Sequence, residues 1–64
     1  MKKYFVMDKA NLQKSIFILV KDEMDNSYRF IDIKDATIIP ISFREVANAL
    51  AWLDIGYEWD LLNF

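Results

Sequence analysis

The segment Ser-Phe-Arg-Glu-Val-Ala-Asn-Ala-Leu-Ala-Trp-Leu, residues 42–53, is the stretch from which the fold is predicted. Ser42 and Glu45 have the spacing of a capping box, in which each side chain accepts a hydrogen bond from a backbone amide at the helix start. Apolar residues then recur at helical spacing, and Gly56 stands where a left-handed residue would end the helix. The segment therefore predicts one helix over residues 42–53.

The predicted helix has two distinct sides. At about 100° per residue, the apolar stripe expected to face the core consists of Phe43, Val46, Ala47, Leu50 and Leu53. Trp52 falls on the opposite side, beside Glu45 and Asn48, and Trp59 would join it there if the helix continued past Gly56. An exposed Trp beside acids is typical of partner-binding surfaces. The alternative is that Trp52 lies against the chain's own tail.

The chain before this helix is rich in β-branched and aromatic residues, which predicts strands. The predicted strands cover residues 3–7, 15–21 and 28–33. Pro40 lacks an amide donor, so residues 37–41 are expected to form an edge strand or an extended lead into the helix. Residues 57–64 are expected to be either a helical turn or a strand-like tail.

The predicted fold class is therefore α+β. We expect a small antiparallel sheet of three to four strands, the fourth being the edge strand, followed by one C-terminal helix packed on one face. The length of 64 residues predicts a single domain, 1–64.

The strands are apolar on both sides, which is unusual for an antiparallel sheet with one solvated face. In the second strand, Ile16 and Ile18 point to one side while Phe17 and Leu19 point to the other. One helix of about 12 residues, roughly 18 Å long, covers only one face of such a sheet. The second face is expected to be covered by the tail, by another copy of the chain or by another protein.

The composition removes most catalytic chemistry. The chain has no His, no Cys and one Gly, which excludes the usual general base, a thiolate nucleophile and a glycine-rich phosphate loop. Asp22, Glu23 and Asp25 share one loop that lacks the pattern of a calcium site, so a hairpin turn is favoured. No catalytic residue, metal or cofactor is predicted, and the protein is not expected to be an enzyme.

Three further acids, Asp8, Asp32 and Asp35, are the remaining acid and base candidates. A chain with 10 Asp and Glu residues supplies such sets by chance, so we assign them no role. No apolar run approaches the roughly 20 residues of a membrane span, and the apolar stretch after Met1 is too short for a signal peptide. Together with the absence of Cys, this predicts a soluble, cytoplasmic protein.

Charge is unevenly distributed along the chain. The net charge is −2, and residues 45–64 carry four acids and no base. This acidic end allows an alternative function, an acidic nucleic-acid mimic that inhibits a nucleic-acid-binding protein. A second alternative, a weak single-stranded nucleic-acid binder, rests on bases interleaved with Tyr4, Phe17, Tyr28 and Phe30. The pI near 4.8 opposes the second alternative.

The leading prediction is a small protein–protein interaction module, inhibitory or regulatory, that acts on another protein or as a homodimer. Self-association would bury area that so small a chain cannot bury alone. Neither a nucleic acid, nor a membrane, nor a small-molecule substrate is expected as the partner. The predicted partner-binding residues are Glu45, Trp52, Tyr57, Glu58, Trp59 and Asp60.

Overall fold

The computed structural model describes residues 1–62 and contains one helix and a single antiparallel sheet in that part of the chain. The elements in chain order are β1 (Lys2–Asp8), β2 (Lys14–Asp22), β3 (Ser27–Asp32), β4 (Thr37–Ile38), α1 (Val46–Gly56) and β5 (Tyr57–Leu62). The strand order is β4-β3-β2-β1-β5. The first three strands and the edge strand β4 therefore lie where the β-branched runs and Pro40 placed them.

The predicted fold class is wrong in the number of strands and in the position of the helix. Five strands are present among the described residues, and α1 lies between β4 and β5 rather than at the C-terminal end. The tail becomes β5, which pairs with β1 from Tyr57 opposite Asp8 to Leu62 opposite Lys3. The alternation of Tyr57, Glu58 and Trp59 suits a strand with one buried side. Residues 63 and 64 of the predicted tail lie outside the described residues.

The helix begins later than the capping box predicted. Phe43 and Tyr28 exchange two backbone hydrogen bonds, with N···O distances of 2.7 and 2.8 Å, so Phe43 is held extended. The first helical residue is Val46, and Glu45 precedes it with φ −135 and no side-chain capping hydrogen bond. The predicted capping box is wrong because a long-range β-bridge fixes the backbone in which it would have formed.

The helix also ends differently from the prediction. Gly56 is the last helical residue and does not have a positive φ, and the chain enters β5 directly through the extended Tyr57. Lys9 satisfies the carbonyl groups at this end: its backbone N–H donates to Gly56 O (3.0 Å) and its Nζ to Asp54 O (2.8 Å). A cation at this position is favourable because the helix C-terminus carries partial negative charge. A left-handed glycine would have turned the chain away from β1.

The core lies between α1 and one face of the sheet. Its buried side chains are Tyr4, Val6, Phe17, Leu19, Phe30, Ala49 and Leu53. Ala49 and Leu53 point at the sheet, whereas Ala47 is exposed. The helix is therefore rotated from its predicted orientation, because burying the large Trp52 ring removes far more apolar area from water than burying the methyl group of Ala47.

We expect Gly56→Ala to stabilise the protein by about 0.5 to 1 kcal/mol, because alanine restricts the unfolded chain and favours the helix. An added Cβ at this position meets no atom within 4 Å. Urea unfolding followed by circular dichroism measures the change. A loss of about 1 kcal/mol, as for a left-handed glycine, would contradict the observed helix end.

We expect Ser42→Ala to change the free energy of unfolding by less than about 0.5 kcal/mol, because Ser42 is exposed and makes no capping hydrogen bond. The capping box would instead predict a loss of about 1 kcal/mol. The same urea titration distinguishes these two values of the free-energy change. Gly56→Ala, which is expected to stabilise the protein, serves as the comparison variant.

Candidate interaction surface

The sheet has one face under the helix and one without a cover. Tyr4 of β1 is opposite Phe17 of β2, and both rings are buried against α1. Their neighbours in sequence point the other way, so Phe5 and Ile16, which are also opposite each other, lie on the far side. The two faces expected from the sequence are therefore both present, and α1 covers one of them.

We call the uncovered side the open face. Its apolar residues are Phe5, Met7, Ile16, Ile18, Val20, Ile31, Ile33, Ile38 and Leu62. Ile18, Ile31 and Ile38 form a continuous row across β2, β3 and β4. Ile33 extends this surface past the end of β3, since its N–H donates to Ile16 O (3.1 Å).

No described element packs on the open face. The helix contacts β3 and β5 from the opposite side, and β5 lies beside β1 within the sheet. The tail therefore does not cover the second face, which was one of the three expected solutions; β5 instead enlarges that face by one strand. Phe5, Ile33 and Ile38 remain 37%, 43% and 62% exposed. Such a surface is costly in water unless a partner covers it.

Charged residues border the apolar rows. Lys14 stands opposite Met7 at one end of the open face, and Arg29 stands opposite Val20 at the other. Glu58 and Asp60 point to this face from β5, opposite Met7 and Phe5. Lys3 lies within the apolar area itself, opposite Ile18 on one side and Leu62 on the other.

Two shallow depressions mark the surface near Phe5. One, of about 270 Å³, is lined by the apolar residues Phe5, Ile16 and Ile33 and by Lys14, Ser15 and Lys34. The other, of about 380 Å³, lies between Phe5, Met7 and the acids of β5.

The predicted site residues separate into two groups. Glu45, Glu58 and Asp60 are exposed, whereas Trp52, Tyr57 and Trp59 are half-buried around the core. Glu45 precedes the N-terminal end of α1, and Glu58 and Asp60 lie on β5 after its C-terminal end. An 11-residue helix, about 16 Å long, separates these positions along the chain. Only Glu58 and Asp60 border the open face.

The apolar stripe places Trp52 on the outer side of the helix, and this prediction is wrong. Its ring stacks on Phe30 with centroids 5.8 Å apart and an interplanar angle of 28°, and it also contacts Phe43 and Tyr57. Trp59 lies on β5 rather than on a continued helix. Its ring meets Tyr4 edge-on at 5.4 Å, and its Nε1–H donates to Asp54 Oδ1 (2.6 Å).

The open face itself was absent from the predicted site residues, although the sequence carried its signal. The alternation of Ile16, Ile18 and Val20 with Phe17 and Leu19 already indicated a second apolar side. The sequence pattern instead predicts a site on the helix and tail, because it places Trp52 on the outer side of the helix, which is wrong. The apolar strand residues that alternate with the core residues are the better indicator of the exposed surface.

A narrow polar cleft brings the three unassigned acids together. Asp8, Asp32 and Asp35 line it with Ser15 and Tyr57, and its volume is about 90 Å³. Small-molecule sites usually measure about 300 to 1,000 Å³. The Ser15 hydroxyl and the Lys34 N–H both donate to Asp32 Oδ1, and Ala10 N–H donates to Asp8 Oδ1. The Asp8 and Asp32 carboxylates therefore close turns in this structure.

The acidic loop between β2 and β3 is a hairpin turn with its own hydrogen bonds. Asp22 and Asp25 each accept from Arg29, at 3.3 and 3.2 Å. Asp25 also accepts from the Ser27 hydroxyl (2.5 Å), and this bond lowers the carboxyl pKa from its ordinary value. Within residues 1–62, no group of three or more acidic, His or Cys side chains is placed to hold a metal ion.

The aromatic rings on which single-strand stacking depends are largely in the core. Tyr4, Phe17 and Phe30 are at most 3% exposed, whereas bases stack on open ring faces. Of the four rings on which that alternative rests, Tyr28 is the one that is partly exposed. The helix α1, with 11 residues, is too short to cross a membrane, and it is the single helix of residues 1–62.

Comparisons with protein-family models, with curated proteins and with solved structures find no match to this chain.

The Tyr57 hydroxyl borders the polar cleft, where burial first, and then the nearby Asp8 and Asp32 charges, raise the pKa of its phenol above 10.0. Unfolded tyrosine ionises near pH 10, so between that pH and the folded pKa the unfolded state binds fewer protons. The contribution of this phenol to the free energy of unfolding is therefore fully present below pH 10 and is lost as the pH rises above it. We expect Tyr57→Phe to lose less stability than the wild type between about pH 9 and about pH 11.

Urea unfolding across this pH range measures the difference. Tyr4→Phe is the matched comparison, because burial alone raises the pKa of Tyr4. The double variant should have the flattest profile. Parallel profiles for Tyr57→Phe and the wild type would contradict the raised pKa of the Tyr57 phenol.

Proposed function

We propose that this protein is a non-catalytic protein–protein interaction module whose binding surface is the open face of its sheet. The observation that carries the proposal is the uncovered row formed by Ile18, Ile31 and Ile38 beside Phe5 and Ile16. A regulatory or inhibitory role in the cytoplasm is the setting we propose for it, since a chain without Cys is suited to a reducing compartment.

The first partner that we propose is a second copy of the chain. Five strands spaced by about 4.8 Å, each about six residues long at about 3.3 Å per residue, give a face of roughly 400 to 500 Å². Two such faces bury about 1,000 Å², near the lower limit of specific interfaces. A homodimer would thus be concentration-dependent, and the same face remains available to a different protein when the dimer dissociates.

Face-to-face packing suits the shape of the open face. Sheets that pack against each other interdigitate apolar side chains over a spacing of about 10 Å. The Ile-rich rows supply such side chains, and the charged residues Lys14, Arg29, Glu58 and Asp60 stand at the ends or on the edge strand. These four charged residues would stay near water at the border, whereas Lys3, opposite Ile18, would be a charged group inside the interface.

The acidic nucleic-acid mimic remains a second proposal with weaker support. Its four carboxylates are Glu45, Asp54, Glu58 and Asp60. Asp54 accepts the Trp59 indole N–H and Glu45 lies at the other end of α1, so only Glu58 and Asp60 are neighbours on one strand. A phosphate backbone presents charges in a longer regular row.

We expect Ile18→Thr to weaken self-association by about tenfold or more, because Ile18 lies in the middle of the open face and a hydroxyl there would have to be desolvated. Threonine keeps the β-branched shape that strands favour. Sedimentation velocity over a range of protein concentrations, up to about 1 mM, measures the association.

The matched control is Ile55→Thr, because Ile55 is 81% exposed on α1, away from the sheet. Circular dichroism confirms that both variants fold. The proposed dimer is wrong if the wild type stays monomeric at the highest concentration, or if both variants weaken association equally.

A further inference from the structure

The outer edge of β5 is a second surface without a partner among the described residues. The hydrogen bonds between β1 and its two neighbouring strands show which backbone groups of β5 point outward. In β1, Asp8 N–H donates to Gln13 O on the β2 side, whereas Lys9 N–H donates to Gly56 O on the β5 side. Antiparallel strands alternate the direction of these groups. Residues 58, 60 and 62, which face residues 7, 5 and 3 of β1, therefore use their backbone groups within the sheet.

The remaining residues of β5 point their backbone groups outward. Tyr57 N–H donates to Leu53 O, so the open groups are the Tyr57 carbonyl and both backbone groups of Trp59 and Leu61. Among residues 1–62, no hydrogen bond reaches these outward groups. An edge with this many free donors and acceptors is a template for a further strand.

The side chains beside this edge alternate in chemistry. Glu58 and Asp60 point to the open face, are exposed, and belong to neither of the ion pairs of the described chain, both of which involve Arg29. Trp59 and Leu61 point to the helix side, and Leu61 is 43% exposed. A strand added here would meet two carboxylates on one side and two apolar groups on the other.

A second β5 is a poor occupant of this edge. Two copies of β5 could pair antiparallel through the outward backbone groups of residues 57, 59 and 61. Most of the strand takes part only if the pairing is centred on Glu58, Trp59 or Asp60. Each of these registers sets a carboxylate opposite a carboxylate, and like charges directly opposite each other are destabilising. The edge therefore disfavours pairing with its own copy. A strand with basic residues opposite Glu58 and Asp60 would not meet this repulsion.

We propose that the outer edge of β5 binds an extended segment of a partner protein in which basic residues alternate with apolar ones. The segment adds a sixth strand to the sheet, and its backbone forms hydrogen bonds with the backbone of Trp59 and Leu61. Its basic side chains lie beside Glu58 and Asp60, and its apolar side chains lie beside Trp59 and Leu61. This site is distinct from the open face, since it uses backbone groups at the sheet edge rather than the Ile-rich rows.

The test uses a fluorescent peptide of alternating lysine and valine residues, long enough to span β5, and measures binding to the full chain by fluorescence anisotropy. We expect saturable binding below about 1 mM, and protection of the Trp59 and Leu61 amides in hydrogen-exchange NMR. A peptide of alternating glutamate and valine should bind at least about tenfold more weakly.

Two controls separate strand addition from simple charge attraction. Methylating the peptide amides that face β5 leaves its charge intact and removes its donors, so binding should be lost. The double variant Glu58→Lys with Asp60→Lys should prefer the glutamate peptide, whereas Glu45→Lys, an acid exposed before α1, should behave as the wild type.

The proposal is overturned if the lysine peptide does not bind up to about 1 mM, or if the methylated peptide binds equally well. It is also overturned if Glu45→Lys weakens binding as much as the double variant. Ile18→Thr should bind the lysine peptide normally. Failure of the dimer and failure of the β5 site are therefore measured separately.

Discussion

The constraint on which the structure depends is the mismatch between a five-stranded sheet that is apolar on both faces and one helix of 11 residues. Covering an apolar sheet face is favourable, because each Å² of apolar surface removed from water gains roughly 25 cal/mol. The helix covers the face that carries the aromatic cluster. The other face keeps Phe5 and the Ile-rich rows at the surface, and the proposed interaction follows from that remaining area.

The aromatic cluster explains why the helix covers that particular face. Phe30 is fully buried and touches Tyr4, Phe17, Phe43 and Trp52, with ring centroids between 5.7 and 6.1 Å apart. Aromatic rings bury the largest areas and gain further from edge-on contacts. The helix therefore packs where most of the rings are, and the Ile-rich open face stays without a cover among the described residues.

The strand β5 changes the molecule in two ways. It widens the sheet, which enlarges the open face, and it gives the sheet a six-residue edge. At the other edge, β4 has only two residues and is followed by Pro40, so it offers little to an added strand. The two edges are thus unequal, and the longer one carries the acids Glu58 and Asp60.

The strands β1, β2 and β3, one helix after them and the two apolar faces of the sheet can all be predicted from the amino-acid sequence. These features follow from local patterns, β-branched runs and their alternation, that act within a few residues. The helix start at Val46, the inward rotation of Trp52 and the fifth strand depend instead on tertiary contacts. Each depends on residues far apart in the chain: the Phe43–Tyr28 bridge, the rings around Phe30, and the pairing of β5 with β1. A capping box contributes about 1 kcal/mol, and these long-range contacts together outweigh it.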